Sequence, residues 1–156
     1  WTRIERAENW PQYHYMTPRV SCAIEAIDAE RLAVAGAFGI EVRSVKRHFS
    51  QSFKTEGDCL EDIAAELHKK RGGPPGPTQI DTRYLSEDVP YGLVFLMALG
   101  RVANVEMPYT QAMISMAELI VGEDFLAGND LIDHLGLASS SVERLLSRVR
   151  VSGVVI

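Results

Sequence analysis

An all-α domain is what this sequence predicts, and three observations carry the expectation. Apolar residues recur three and four positions apart over long stretches. No sustained apolar/polar alternation at strand spacing occurs. Helix start and stop residues punctuate the chain: Thr17-Pro18, Gly39, Gly72-Gly73, Pro108 and Gly122. The length agrees, since 156 residues make a single domain. So does the composition, 46% hydrophobic and 24% charged, which is the globular norm.

The first long helix is announced by Thr17 as N-cap and Pro18 at the first helical position. Val20, Ile24, Ile27, Val34 and Phe38 form its apolar face, with Glu25, Asp28, Glu30 and Arg31 assigned to the polar side, and Gly39 stops it. A shorter helix is expected over residues 44–51. The next begins near Asp58, with Leu60, Ile63, Ala64 and Leu67 inward and the cations of residues 68–71 at its carboxyl end. GGPPGP at residues 72–77 cannot be a helix or a central strand and reads as a surface connection, a candidate functional loop. Residues 86–103 predict a helix apolar nearly all round and buried in a bundle. Pro108 opens another, with Met113, Met116 and Ile120 inside and Gly122 as its stop. Short helices are expected near Asp124 and Asp130, then a last one over residues 140–149 with Ser140 and Glu143 as a capping box. Residues 151–156 are unusually apolar for a tail.

Several function classes drop out. The charge balance is 16 − 21 = −5, with a pI near 5.4, so no basic footprint for nucleic acid exists. The longest apolar run, residues 91–100, is too short to span a bilayer, and residues 1–9 alternate charge where a signal peptide needs an apolar stretch. A cytoplasmic protein with no membrane partner is expected. Cys22 and Cys59 are expected to be small buried hydrophobes in a reducing compartment. The chain opens on Trp1 and not Met, so we expect one domain of a longer protein.

Site motifs are sparse. Gly36 and Gly39 form only GxxG at a helix end, a cap and not a phosphate cradle. Asp62, Glu66 and His68, like Asp130, Asp133 and His134, lack metal-ligand spacing and read as outer-face charges. His14, between Tyr13 and Tyr15, has no sequence-local carboxylate and reads as part of an aromatic patch.

The stretch RYLSEDVP, residues 83–90, is different. With Ser86 as N-cap, Glu87 and Asp88 fall in the first turn, where the helix dipole favours their charge. A carboxylate anchored so could orient a histidine elsewhere. Arg83, just outside the helix, could hold a substrate carboxylate in a bidentate pair. A capped helix with an acidic first turn and Arg83 as an ion-pair partner explains the same residues.

Residues 83–94 resemble the RYLxEDVPYGLV signature of the opine dehydrogenase (octopine/nopaline dehydrogenase) family, in its C-terminal all-α domain. Thr17-Pro18 followed by AIDAERLA at residues 26–33 is similar to that family's TP…AIDAERLA helix. Arg3-Ile4-Glu5 resembles its GRIE-like piece, and Met107-Pro108 its tP. Residues 122–137 resemble its closing GxDY…G…LGL, with Phe125 where Tyr is common and Asn129 where Arg is common. The resemblance implies a multi-helix bundle like the C-terminal domain of Rossmann-type dehydrogenases, 6-phosphogluconate dehydrogenase among them. It implies an N-terminal Rossmann domain, absent from this chain, that binds NAD or NADP. The implied reaction condenses an amino acid with a 2-oxo acid such as pyruvate and reduces the imine to a secondary-amine dicarboxylic acid. By matched position, Arg83 would bind the oxo-acid carboxylate and Asp88 would be the acid of a His–Asp dyad. The family's histidine, in an NPxxHP-like motif, would precede Trp1, so the chain alone is expected to be inactive, and the role does not pass to His14. No metal is implied. A homodimer is expected. Two other readings stay open: the helical domain of a related 2-hydroxy-acid or sugar-acid reductase, or a free-standing helical dimerisation or interaction module.

Overall fold

The computed structural model describes residues 1–149. In chain order the elements are α1 (Thr2–Glu5), a 3-10 turn (Tyr13–Tyr15), α2 (Pro18–Ala37), α3 (Val45–Phe53) and α4 (Leu60–Arg71). A π-helical run (Tyr84–Val94) continues directly into α5 (Phe95–Ala103). Then come α6 (Pro108–Val121), α7 (Asp130–Leu135), a 3-10 turn (Leu137–Ser139) and α8 (Val142–Val149). The all-α prediction holds: among the described residues no strand forms, and Pro11 meets Pro75 in an isolated antiparallel bridge. No described helix is long and apolar enough to cross a membrane. The apolar segment 151–156 lies outside the described residues.

α4 follows its sequence closely. Leu60, Ile63, Ala64 and Leu67 lie one turn apart on one face and are all buried, and Gly72 ends the helix at φ 74°. α3 starts where Ser44 Oγ accepts the Arg47 N–H at 3.1 Å. The main core fills the space between the π-helical run, α5, α6 and α7, with Leu85, Val94, Ala98, Ile114, Ala117 and Phe125 at its centre. A second cluster joins Val34 and Phe38 of α2 to Met107.

The inside of α2 differs from the expectation. Asp28 and Glu30, assigned to the polar face, are 6% and 7% exposed, while Val20 is 44% exposed. The reason is capping across space. Asp28 Oδ2 accepts the Val45 N–H at 2.7 Å, at the start of α3, while its Oδ1 accepts Arg31 Nε–H at 2.8 Å. Glu30 accepts three hydrogen bonds at the start of α6: Tyr109 N–H (2.8 Å), Thr110 N–H (2.8 Å) and Thr110 Oγ1–H (2.6 Å). Two acids of one helix thus satisfy the orphan N–H groups of two others, each favoured by the positive end of a helix dipole.

Other expectations are corrected in the same way. On α6 the buried residues are Thr110, Ile114 and Ala117, and Met113 and Met116 face outward at 49% exposure. Asp124 makes a turn and not a helix, its Oδ1 accepting the Leu126 and Ala127 N–H groups at 3.0 Å. Ser141, one residue past the expected Ser140, caps α8 through the Arg144 N–H at 3.3 Å. Neither cysteine is buried: Cys22 is exposed and Cys59 partly so. The Cys59 thiol is pushed up to about 11, first by its hydrogen bond with the Asp62 side chain, which a thiolate could not donate.

Candidate active site

The RYLSEDVPYGLV segment folds as π-helix, not α-helix. Its buried seam is Leu85, Pro90 and Val94, at four- and five-residue spacing, with Val89 half-buried beside it. That spacing matches i→i+5 geometry and not the 3.6 period assumed from the sequence. Pro90 lies inside the run, where it has no N–H to give and its ring would collide with the carbonyl four residues back in an α-helix. The wider turn relieves that collision. The Pro90 carbonyl accepts the side-chain amide of Asn129 at 2.5 Å, and Asn129 Oδ1 accepts the Ile132 N–H at 3.3 Å, capping α7. Asn129 is 2% exposed, so it ties the π-helical run to α7 from inside the fold. Replacing it with Ala leaves both buried groups unpaired, an expected loss of about 2–3 kcal/mol. A thermal melt should show the variant lower by about 5 °C or more, and an unchanged melt would contradict this role.

The opposite side of the run is open. Arg83, Tyr84, Glu87, Asp88 and Tyr91 are all exposed. The structure corrects how the run begins. Ser86 is not the N-cap: Thr82 is the anchor, its Oγ1 accepting the Tyr84 N–H at 3.3 Å and its carbonyl the N–H groups of Leu85 (2.9 Å) and Ser86 (3.1 Å). Glu87 lies in the first turn and Asp88 beyond it, where the dipole contributes less. Arg83 Nη2 lies 3.4 Å from Glu87 Oε2, with both side chains more than 60% exposed. Asp88 has no hydrogen-bond or ion-pair partner among the described residues. Arg83 and Asp88, the two residues singled out from the sequence, therefore stand on one accessible helix surface.

The Pro/Gly loop forms a wall beside Arg83. The Gln12 N–H donates to the Pro74 carbonyl (3.0 Å), the Gly76 N–H to the Trp10 carbonyl (2.8 Å) and Trp10 Nε1–H to the Pro77 carbonyl (3.2 Å). Gly76 is obligatory here, because a Cβ on it would lie 2.1 Å from the Trp10 ring. Pro75, Pro77, Thr82, Arg83 and Tyr84 line an open depression of about 390 Å³.

The remaining candidates have structural work. The His14 ring lies 5.3 Å from that of Tyr15 and 4.9 Å from that of His68, in a patch where Arg3 stacks over Tyr15. His68 Nδ1 contacts the Gly72 carbonyl at 3.0 Å, and His134 Nδ1 contacts the Asp130 carbonyl at 2.7 Å. Glu66 pairs with Lys70 and accepts the Glu56 N–H at 2.9 Å, and both partners hold its carboxyl below the usual range. Gly36 and Gly39 lie at the carboxyl end of α2, where the partial charge is negative and repels phosphate.

Residues 1–121 match the protein family described as NAD/NADP octopine/nopaline dehydrogenase, alpha-helical domain. The chain belongs to this family. Within it, the chain is 32% identical over 148 residues to an opine dehydrogenase from Arthrobacter sp. (strain 1C), covering 92% of this chain and 41% of that protein. It is 27% identical over 118 residues to a D-nopaline dehydrogenase from Agrobacterium tumefaciens (strain T37), covering 76% of this chain and 26% of that one. The fold is that of octopine dehydrogenase solved with NADH and L-arginine: TM-score 0.68, 16% identity, 92% of this chain and 42% of the other. The chain thus spans about two-fifths of the length of the opine dehydrogenase and the solved octopine dehydrogenase. What residues 1–121 match in that family is its alpha-helical domain.

Proposed function

We propose that this chain is the substrate-side domain of an opine dehydrogenase, which joins an amino acid to a 2-oxo acid by reductive condensation. The observation that carries the reading is the exposed surface of the π-helical run. There an arginine and an unpaired aspartate project from a backbone fixed by Asn129 on its buried side. Arg83 holds the oxo-acid carboxylate through two parallel N–H···O bonds. Its pair with Glu87 is solvent-exposed, of a kind worth roughly 0.2–1 kcal/mol, and a substrate carboxylate displaces it. Asp88 receives the ring N–H of a histidine from the preceding part of the protein, fixes its tautomer and stabilises its protonated form. Amine and ketone lose water to form an imine, and that histidine moves the protons. NADH or NADPH, held by an N-terminal Rossmann domain, supplies the hydride that reduces the imine. On this reading the histidine and the cofactor come from the preceding part of the protein, and the helical domain by itself is inactive.

Kinetics of the full-length protein test the clamp. Arg83→Ala should raise KM for the 2-oxo acid by roughly 10–100-fold, with KM for NAD(P)H unchanged. Arg83→Lys keeps the charge without the fork and should recover only part of the loss. If oxo-acid KM and kcat both stay at wild type in Arg83→Ala, Arg83 is not the clamp.

A further inference from the structure

Gly92 stands on the exposed side of the π-helical run, and no described contact accounts for its being glycine. It lies inside the helix, and its φ is not positive. A Cβ placed on it would meet no described atom within 4 Å. Glycine inside a helix weakens the helix relative to alanine, so the bare position costs stability without a packing gain. The other helical glycines differ. A Cβ on Gly100 would run into the Met107 sulfur, and Gly36 lies one residue before the end of α2, where the helix is already closing. A bare backbone in mid-helix with open space over it has one use: a group from outside the chain comes closer than a side chain would allow.

The position of Gly92 says which group. Leu85, Pro90 and Val94 mark the buried seam at intervals of five and four residues. Arg83, Asp88 and Gly92 repeat those intervals two residues earlier, and all three are exposed. Two residues are about half of a turn in i→i+5 geometry, so these three form a column on the side opposite the seam. Tyr91, 45% exposed, stands next to Gly92 and makes the bare position a notch. With the oxo-acid carboxylate at Arg83 and the histidine at Asp88, the carbon–nitrogen bond forms over the middle of the column. The amine component extends from that bond away from Arg83, which is over Gly92. Arg83 and Gly92 lie at most about 14 Å apart along the axis, a span that the Arg83 side chain and a two-part product fill between them.

We propose that Gly92 sets the size of the amino acid the site accepts, because its missing side chain leaves the notch in which the amino acid's α-carbon and side chain lie. This rests on the opine chemistry proposed for the surface, and it adds a position that bears on the amino acid alone.

The test is Gly92→Ala in the full-length protein, assayed with NADH or NADPH, a 2-oxo acid such as pyruvate, and a panel from L-alanine through L-leucine to L-arginine. The amino-acid kcat/KM should fall by about tenfold or more, and further as the amino acid grows. KM for the oxo acid and for the cofactor should stay within about twofold of wild type. The melting temperature should equal or exceed that of wild type, because alanine strengthens the helix and its methyl meets nothing described in the chain. An unchanged amino-acid kcat/KM in an active protein would overturn the role of Gly92 and leave the opine reading standing. So would a loss that falls on the oxo acid or the cofactor instead, or a lowered melt, which puts a neighbouring domain and not the amino acid against Gly92. Cofactor oxidation by wild type that needs no amino acid removes the opine reading itself, and this proposal with it.

Discussion

Asp88→Asn in the full-length protein is expected to lower kcat by about 10³-fold or more, with KM for NAD(P)H within about twofold of wild type. The structure makes the substitution clean, because Asp88 is exposed and no described residue relies on it for a hydrogen bond or an ion pair. Stability should therefore hold while the chemistry fails. An amide in place of the carboxylate can hold a histidine in the wrong tautomer and does not stabilise its imidazolium. The sign of the pH effect follows. The carboxylate favours the charged ring and raises its pKa, so Asp88→Asn should move the histidine-controlled limb of the kcat/KM profile to lower pH. Unchanged turnover with all substrates would remove Asp88 from the dyad.

Glu30→Ala is expected to cause the largest loss of stability. It removes the acceptor of three hydrogen bonds from Tyr109 and Thr110, and Thr110 is fully buried. Each buried donor left unpaired costs about 1–3 kcal/mol, and the start of α6 loses a favourable negative charge as well. The sum is about 3–5 kcal/mol, a fall in melting temperature of roughly 10 °C for a domain this size. Glu30→Gln keeps one acceptor oxygen and should lose about half as much. A melt of Glu30→Ala within 2 °C of wild type, well inside the predicted fall of about 10 °C, would contradict the capping role.

These two carboxylates show what the sequence makes legible and what it hides. Helix α4 could be read outright, because its inner face is purely apolar and a glycine closes it. Helix α2 could be found but not oriented. Asp28 and Glu30 look like solvent residues at helical spacing, and only the three-dimensional path brings the starts of α3 and α6 onto them. The available signal was the reverse face, where alanines and Gly36 stand in place of charges. Met113 and Met116 read as core for the same reason: apolar residues at helical spacing imply burial, yet α6 turns these two outward. The π-helical run was visible as Leu85, Pro90 and Val94, but a period of 3.6 does not fit them. Arg83 and Asp88 were recoverable because their segment resembles a family signature. Asn129, which supports that segment from 39 residues away, carried no local signal beyond its place before a short helix.

The most direct test of the account is amine dependence. The full-length protein is mixed with NADH or NADPH and a 2-oxo acid such as pyruvate, with and without a panel of amino acids. Oxidation of the reduced cofactor is then followed by its absorbance. Oxidation is expected only when both the oxo acid and an amino acid are present, with a product whose mass equals their sum less water plus two hydrogens. Equal oxidation with the oxo acid alone would contradict it and identify a simple keto-acid reductase instead.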